Sequence, residues 1–372
     1  MQKKLIALAV ASVASGAAFA QTNVTMYGIA DAAYVYSWGK ANAVGGGTNK
    51  FSGIQSGLLS GSRLGFKGEE ALGNGLKAIF QLEYALSIDD NSGVGSSSAP
   101  GTLLARQQFV GLSSNALGTV ALGRQYAPAY DATARNDAFA GAAFAPQSFL
   151  TTSTAGNNTI TPNSGARWNN AVTYTTPNWG GFTGKAIYGF GENAGNDRFV
   201  STSDNGRWGV GANFSAGMFN VDGVYQVRQN VVAANGKDIN EWYVGATLDL
   251  KFAKLMASYQ DQNDKNTLTN NDNSTWSVGA VIPVMSSSAI HLGYAELDFD
   301  QGNKGAQLNG KSKAAAVAFS HGLSKRTTLY TGYVYVKNDN DTVGAAPAGL
   351  TGVIGAIDRK NHTFTAGIRH TF

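Results

Sequence analysis

Apolar and polar residues alternate one by one over many short segments between residue 23 and the C-terminus. In segment 75–88 the apolar set is Leu76, Ala78, Phe80, Leu82, Tyr84, Leu86 and Ile88. The positions between them include Lys77, Gln81, Glu83 and Ser87. Segments 167–176, 207–214, 241–251 and 362–372 repeat the spacing, and Trp168 falls in the apolar set of the first. A period of two residues is that of a β-strand with one apolar and one wet face.

The alternation predicts sixteen strands and therefore an all-β fold. They lie near 23–37, 60–71, 75–88, 103–115, 118–125, 167–177, 181–192, 206–216, 218–228, 240–251, 253–264, 274–284, 287–299, 312–322, 325–338 and 361–372. Short connections such as 72–74 follow even-numbered strands, and long loops rich in Gly, Ser, Asn and Asp follow odd-numbered ones. Short turns at one end and long loops at the other are typical of a transmembrane β-barrel.

A soluble β-sandwich is the alternative, but sandwich domains seldom reach 350 residues as one unit. After residue 20 no run of 18 apolar residues could form a membrane-spanning helix. A barrel strand needs only about ten alternating residues. An even strand number closes the sheet, and sixteen strands enclose an aqueous lumen. We therefore expect a 16-stranded antiparallel transmembrane β-barrel that lets water and small solutes pass.

The first twenty residues have the order of a secretory signal peptide. Lys3 and Lys4 precede an apolar run that ends in the small-residue site Ala18-Phe19-Ala20. Residues 21–372 then form the single barrel domain. Loss of the two lysines leaves 26 basic and 24 acidic residues from the 28 and 24 of the whole chain. Such a near-neutral chain does not indicate a nucleic-acid partner. The absence of cysteine excludes disulfides and thiolate metal sites.

The third long loop, 126–166, has no alternation and is the longest connection. It carries Asp131, Arg135 and Asp137 and then a tract of small residues, 138–145. Long structureless loops in compact domains are usually functional. We expect this loop to fold into the lumen, the alternative being a loop that caps the mouth or contacts another subunit.

Four arginines lie on early strands or at strand ends around this loop: Arg63, Arg106, Arg124 and Arg167. We expect them to face Asp131 and Asp137 across a pore constriction. Charged rings at a constriction set ion selectivity. Four arginines against two aspartates predict a weak preference for anions, because salt screens charges beyond about 8–10 Å.

Enzymatic motifs are weak in this chain. Residues 305–312, GAQLNGKS, match the sequence pattern of a phosphate-binding loop. A strand-like run follows them, however, where such a loop needs a helix. The four histidines have no metal-binding spacing, and no serine lies in a hydrolase motif. We therefore predict no catalytic residue, no metal and no cofactor.

Several stretches resemble the Gram-negative general porin family in its β-proteobacterial branch. They are VTMYGIADA, SRLGFKGEEALGNGLKAIFQLEY, RQQFVGLSSNALGTVALGRQY, ARWNNAVTYTTPNWGGF and HTFTAGIRHTF. The resemblance implies a homotrimer of sixteen-stranded barrels in the outer membrane, with the third long loop folded inward. The family's constriction arginines match Arg63, Arg106 and Arg167, with Arg124 at a neighbouring strand end, and Phe372 matches its barrel-assembly signal.

As partners the resemblance implies outer-membrane lipid and lipopolysaccharide, the barrel-assembly machinery, and small solutes and ions. The function implied is passive diffusion of small hydrophilic solutes. One alternative is a substrate-selective porin for organic anions or sugars, with Tyr243, Tyr333 and Tyr335 as candidate lumen aromatics. The other is an adhesin-type barrel.

Overall fold

The computed structural model describes residues 23–40, 48–90, 93–94, 104–152, 157–191, 204–231, 237–265, 272–300, 310–339 and 360–372. The predicted signal peptide, 1–20, lies outside the described residues. None of the helices in the described part of the chain is long and apolar enough to cross a membrane.

Strands make up most of the described residues. The first half contains β1 (Asn23–Lys40), β2 (Thr48–Ser56), β3 (Arg63–Gly73), β4 (Leu76–Ser87), β5 (Gly93–Val94), β6 (Ala105–Ser114), β7 (Gly118–Tyr126), β8 (Arg167–Thr175) and β9 (Phe182–Gly189). The second half contains β10 (Arg207–Ala216), β11 (Phe219–Val231), β12 (Lys237–Asp249), β13 (Lys254–Asp264), β14 (Asp272–Met285), β15 (Ser288–Asp300), β16 (Gly310–Gly322), β17 (Thr327–Asn338) and β18 (Lys360–Thr371). Between β7 and β8 lie the helices α1 (Pro128–Arg135) and α2 (Pro146–Thr152) and a 3₁₀ turn (Ser164–Ala166).

The strands form one closed antiparallel sheet, because β1 pairs with β18 along one edge and with β2 and β3 along the other. β2 pairs with residues 32–40 of β1 and β3 with residues 23–29, so the two together form one interrupted barrel strand. β5 is a two-residue ribbon on the end of β4. The barrel therefore has the sixteen strands that the sequence predicts. The sequence predicts a loop at 38–59. This prediction is wrong in part, because residues 48–56 form the strand β2.

The two faces of the barrel wall differ in polarity, as the alternation predicts. On β4, Leu82 is 38% exposed on the outer face, whereas Glu83 is 3% exposed and faces the lumen. Outward Trp–Tyr pairs on neighbouring strands form a girdle: Trp208–Tyr225, Trp242–Tyr259 and Trp276–Tyr294. An exposed apolar belt flanked by aromatic rings is the surface that a barrel presents to lipid.

The candidate lumen aromatics do not line an open path. Tyr333 and Tyr335 lie on the outward face of β17, where both rings contact His362 of β18. Tyr243 points inward but is fully buried beneath α1, where its hydroxyl donates to the Ala132 carbonyl over 3.4 Å. The structure therefore gives these three tyrosines no role as a ladder for a sugar.

The long segment between β7 and β8 packs against the inner wall. Phe139, Phe144, Phe149 and Leu150 form one buried apolar cluster with inward-facing residues of β1 and β15–β17. The ring of Phe144 stacks on Tyr330 of β17 with centroids 6.1 Å apart. The barrel has its main apolar core at this contact, so the segment occupies one side of the lumen and leaves the opposite wall open.

Candidate functional site: the channel constriction

The open wall and the inner edge of the third long loop enclose a cavity of about 460 Å³. The wall contributes the guanidinium groups of Arg63, Arg106, Arg124 and Arg167. The loop contributes Tyr130, Ala140, Gly141, Ala143, Pro162, Asn163 and Ser164, none of which carries a formal charge. The four arginines singled out in the sequence therefore lie together in the structure.

Irregularities in the sheet lie beside two of these arginines. Glu83 pairs with Gln107 and Tyr84 with Ala105, so Arg106 is an extra residue in β6. Without the bulge, Arg106 would share the outward face with Val110, which is 58% exposed. A second irregularity follows Gly123, whose φ of +128° favours glycine: Arg124 still pairs with Gln108 of β6, but two residues of β8, 169 and 170, stand opposite it on the other side. Bulges re-aim side chains in this way beside functional sites.

Glu83 is the carboxylate that meets these arginines. Its Oε1 accepts a bond of 2.7 Å from Arg106 Nε and lies 3.8 Å from Arg63 Nη1. The Tyr27 hydroxyl donates to the Oε2 atom over 3.0 Å. Sequence reasoning placed Glu83 on the wet face of its strand but did not assign it to the site. One feature of the sequence could have identified Glu83. It is the single acidic residue of segment 75–88, and this segment lies between the strands that carry Arg63 and Arg106.

Two stacked tyrosines lie beside Arg167, and one of them, Tyr130, lines the cavity. The rings of Tyr126 and Tyr130 are parallel, with centroids 3.7 Å apart. The Arg167 guanidinium carbon lies 5.6 Å from the first centroid and 5.4 Å from the second, within cation–π range. Burial alone would raise the pKa of the Tyr130 phenol, but the charges of Arg106 and Arg167, a hydrogen bond with Tyr126 and the charge of Arg63 together lower it.

The two loop aspartates do not face the arginines, which corrects the expected geometry. Asp131 Oδ2 lies 3.3 Å from Lys185 Nζ and lines a different cavity, between α1 and β8–β11. The Asp137 carboxylate accepts backbone N–H bonds from Phe139 and Gly141 and so closes a turn within the loop. Burial raises the pKa of Asp137 to about 6. The reason for both placements is the packing of the loop, which turns each side chain away from the constriction.

A short inward ledge, residues 57–62, joins β2 to β3 and forms part of the cavity wall. Asp31, which is fully buried, holds it: the Ser60 N–H donates to Oδ2 over 2.6 Å and the Tyr330 hydroxyl to Oδ1 over 2.5 Å. The Leu58 carbonyl accepts a 2.8 Å bond from the Ala143 N–H of the loop. The ledge thus links the barrel wall to the loop beside the arginines.

Two buried carboxylates of the wall hold the remaining limbs of the loop. Asp222 accepts a bidentate pair from Arg135, with Nη2 2.6 Å and Nε 3.3 Å away, and a further 2.7 Å bond from Asn136. Glu241 accepts a 2.6 Å bond from the Thr159 N–H and a second from its hydroxyl. Charge-assisted bonds of this kind fix geometry strongly when they are buried. The loop edge of the cavity is therefore tied to the barrel at several points.

No group of three or more His, Asp or Glu side chains within the described ranges is placed to hold a metal ion. The segment that resembled a phosphate-binding loop ends in β16, so a strand follows it where a nucleotide site would need a helix. The site is a passage lined by fixed positive charges, through which ions and small solutes can move.

Comparison with known proteins agrees with this architecture. A sequence profile described as Gram-negative porin matches residues 7–341. Outer membrane porin protein 32 of Delftia acidovorans is 32% identical over 377 residues, covering 100% of both chains. An outer membrane porin protein of Bordetella pertussis is 36% identical over 201 residues, which is 52% of this chain and 49% of that one.

Solved structures give the same result. A structure described as the anion-selective porin from Comamonas acidovorans aligns with a TM-score of 0.74 and 27% identity, over 95% of this chain and 100% of that one. Salmonella typhi OmpF, with 18% identity and a TM-score of 0.68 over 94% and 97% of the two chains, shares the fold. The closed barrel, its apolar outer belt and these relatives identify an outer-membrane channel for passive diffusion of small hydrophilic solutes. The chain belongs to the Gram-negative porin family.

Proposed function

We propose that the channel passes anions in preference to cations, and that Arg63, Arg106, Arg124 and Arg167 set this preference. The observation that carries the proposal is the imbalance of charge around one cavity. Four guanidinium groups line it, the loop edge opposite is uncharged, and Glu83 is buried behind Arg106. Fixed charge at a constriction selects ions of the opposite sign.

The balance of charge also bears on the size of the preference. With Asp131 paired to Lys185 and Asp137 closing a turn, neither loop aspartate offsets the arginines. The preference for anions should therefore exceed the weak preference expected from the sequence, although salt screens charges in the lumen beyond about 8–10 Å. The structural relative described as anion-selective supports the same direction.

A bilayer experiment tests the proposal. Under a KCl gradient we expect stepwise openings of the unheated protein with a reversal potential that leans toward chloride. The double variant Arg106→Ala with Arg167→Ala should move the reversal potential toward potassium. Arg326→Ala, in the exposed turn before β17, removes one positive charge outside the constriction and should leave it unchanged.

Three results would contradict the proposal. A wild-type potential that leans toward potassium would reverse the sign of the selectivity. An unchanged potential in the double variant would remove these arginines from the selective site. A folded barrel without conductance steps would favour the alternative of a plugged or adhesive barrel.

We further propose that the protein is a homotrimer with no enzymatic activity and no cofactor, exported by a signal peptide that comprises residues 1–20. Trimeric porin neighbours such as Vibrio cholerae OmpT in its trimer form support the oligomeric state. Phe372 would serve as the assembly signal, and outer-membrane lipid, lipopolysaccharide and the assembly machinery as partners. In support, Phe372 exchanges two 3.1 Å backbone bonds with Gly28 and keeps an outward ring that is 45% exposed.

A further inference from the structure

The wall of the barrel is interrupted beside β1. β3 pairs with residues 23–29 of this strand and β2 with residues 32–40, so Ala30 and Asp31 pair with neither strand. The residues that join β2 to β3, the ledge 57–62, leave the wall at this point and line the cavity of the constriction. A piece of chain that could complete the wall therefore occupies part of the lumen.

The backbone of Asp31 closes the base of the ledge. Its carbonyl accepts a 2.7 Å bond from the Gly57 N–H and a 3.0 Å bond from the Ser62 hydroxyl, and the same hydroxyl accepts a 3.1 Å bond from the Asp31 N–H. Gly57 has a φ of +76°, and a Cβ atom there would lie 2.9 Å from the Gly61 Cα atom. A side chain does not fit at that distance, so the two ends of the ledge meet in a narrow, fixed base.

The tip of the ledge lies between the third long loop and the arginines. Leu58 is 3% exposed and belongs to the apolar cluster of the loop, whereas Leu59 packs only partly against this cluster and also lines the cavity. On the other side, the Gly61 carbonyl accepts a 2.8 Å bond from Arg63 Nε, and a Cβ atom at Gly61 would lie 3.0 Å from Arg106 Nη1. The ledge therefore forms an uncharged side of the cavity between the loop edge and the guanidinium groups.

We propose that the ledge sets the size limit of the channel for uncharged solutes, and that Leu59 is its specificity-determining residue. Residues 57–62 carry no charge, so the ledge acts on the width of the passage and not on the sign of an ion. Its base is closed and Leu58 is packed, so a solute cannot push the ledge aside without breaking close-packed contacts. Leu59 is the largest side chain of the ledge that borders the open space. The inference goes beyond the proposed anion preference, because it concerns solutes without charge.

Swelling of proteoliposomes in neutral sugars tests the size limit. The swelling rate in sucrose divided by the rate in arabinose measures the limit without a contribution from charge. Leu59→Ala removes most of the side chain, and we expect it to raise this ratio above that of the wild type. Leu59→Trp adds bulk at the same point and should lower the ratio, toward a loss of sucrose entry.

The matched control is Leu292, a leucine of β15 that is 40% exposed in the outer belt. Leu292→Ala and Leu292→Trp make the same changes of volume outside the lumen and should leave the sugar ratio unchanged. An unchanged ratio in both Leu59 variants would overturn the proposal. Equal shifts at the two leucines would also overturn it, and so would a shift of both Leu59 variants in the same direction, because either result would indicate a general change in the barrel.

A further variant keeps the test decisive if Leu59→Ala does not fold. Ser60→Tyr adds a side chain at the next position of the tip and removes no apolar contact. It should lower the sugar ratio, as Leu59→Trp does, whereas a ratio equal to that of the wild type would overturn the proposal.

The size limit and the anion preference can fail separately. A wild-type channel that leans toward chloride in KCl, combined with sugar ratios that do not respond to Leu59, overturns the role of the ledge alone. A wild-type channel that leans toward potassium, combined with opposite shifts of the sugar ratio in the two Leu59 variants, overturns the anion preference and supports the ledge.

Discussion

At the scale of single residues, the constriction depends on one carboxylate held by several donors. Glu83 contacts Arg106, Arg63 and Tyr27 and is 3% exposed. A buried carboxylate with this many charged and polar partners both positions the guanidinium groups and cancels part of their charge. Geometry and selectivity are therefore coupled at this residue.

Glu83→Gln should strengthen the preference for chloride. The amide keeps an acceptor for Arg106 while it removes the negative charge that offsets the arginines. We expect a reversal potential in a KCl gradient further toward chloride than in the wild type. Glu69→Gln, an exposed acid on β3 that pairs with Lys77, is the control and should have no effect. A shift of Glu83→Gln toward potassium would show that the residue acts mainly by holding the arginines in place.

At the scale of elements, the third long loop is held at separate points that differ in chemistry. Apolar packing holds its middle against β15–β17 and β1, whereas Asp222 and Glu241 hold its two ends. Buried polar networks fix a single geometry only when every member is satisfied. The end of α1 depends on Asp222, which accepts bonds from Arg135, Asn136, Asn213 and Asn220.

Asp222→Ala should loosen α1 without unfolding the barrel. Its loss leaves several donors without an acceptor, at a cost of about 1–3 kcal/mol. We expect noisier open-channel currents and a lower thermal denaturation temperature of the folded barrel. The control is Asp131→Ala in α1 itself, which removes only a partly exposed ion pair with Lys185. It should leave the current noise and the denaturation temperature near those of the wild type. Identical currents in the two variants would contradict the anchoring role of Asp222.

At the scale of the whole molecule, stability depends on the contrast between the two faces of the wall. Neighbouring residues on one strand have opposite surroundings: Leu82 lies in the apolar outer belt, whereas Gln81 faces the lumen and donates to the Tyr27 hydroxyl over 2.7 Å. The cost of a charge at each position therefore depends on its face.

Leu82→Lys should destabilise the folded barrel in lipid vesicles by about 2–4 kcal/mol, because the ammonium group would face hydrocarbon. Gln81→Lys adds the same charge one residue away on the wet side and should cost much less. Urea-dependent folding in vesicles measures both free energies of unfolding. Equal losses would show that the outer belt does not contact lipid.

The sequence by itself determined the barrel and its two faces. A strand's side chains alternate strictly, so the set Leu76 to Leu86 could face only one environment and Lys77 to Ser87 the other. The number of alternating segments then specified a closed sheet of sixteen strands. The positions of the four arginines near the third long loop also followed from the order of the segments.

Only the tertiary structure decided which of these charges meet. A bulge at Arg106 breaks the period of two, and the register shift between β7 and β8, where Asn170 has a φ of +46°, turns Trp168 inward against the expected parity. Pairing across strands made Glu83 the partner of Arg106, and the packing of the loop turned Asp131 and Asp137 away. Local periodicity carries no information on such contacts, because each depends on residues that are distant in the chain.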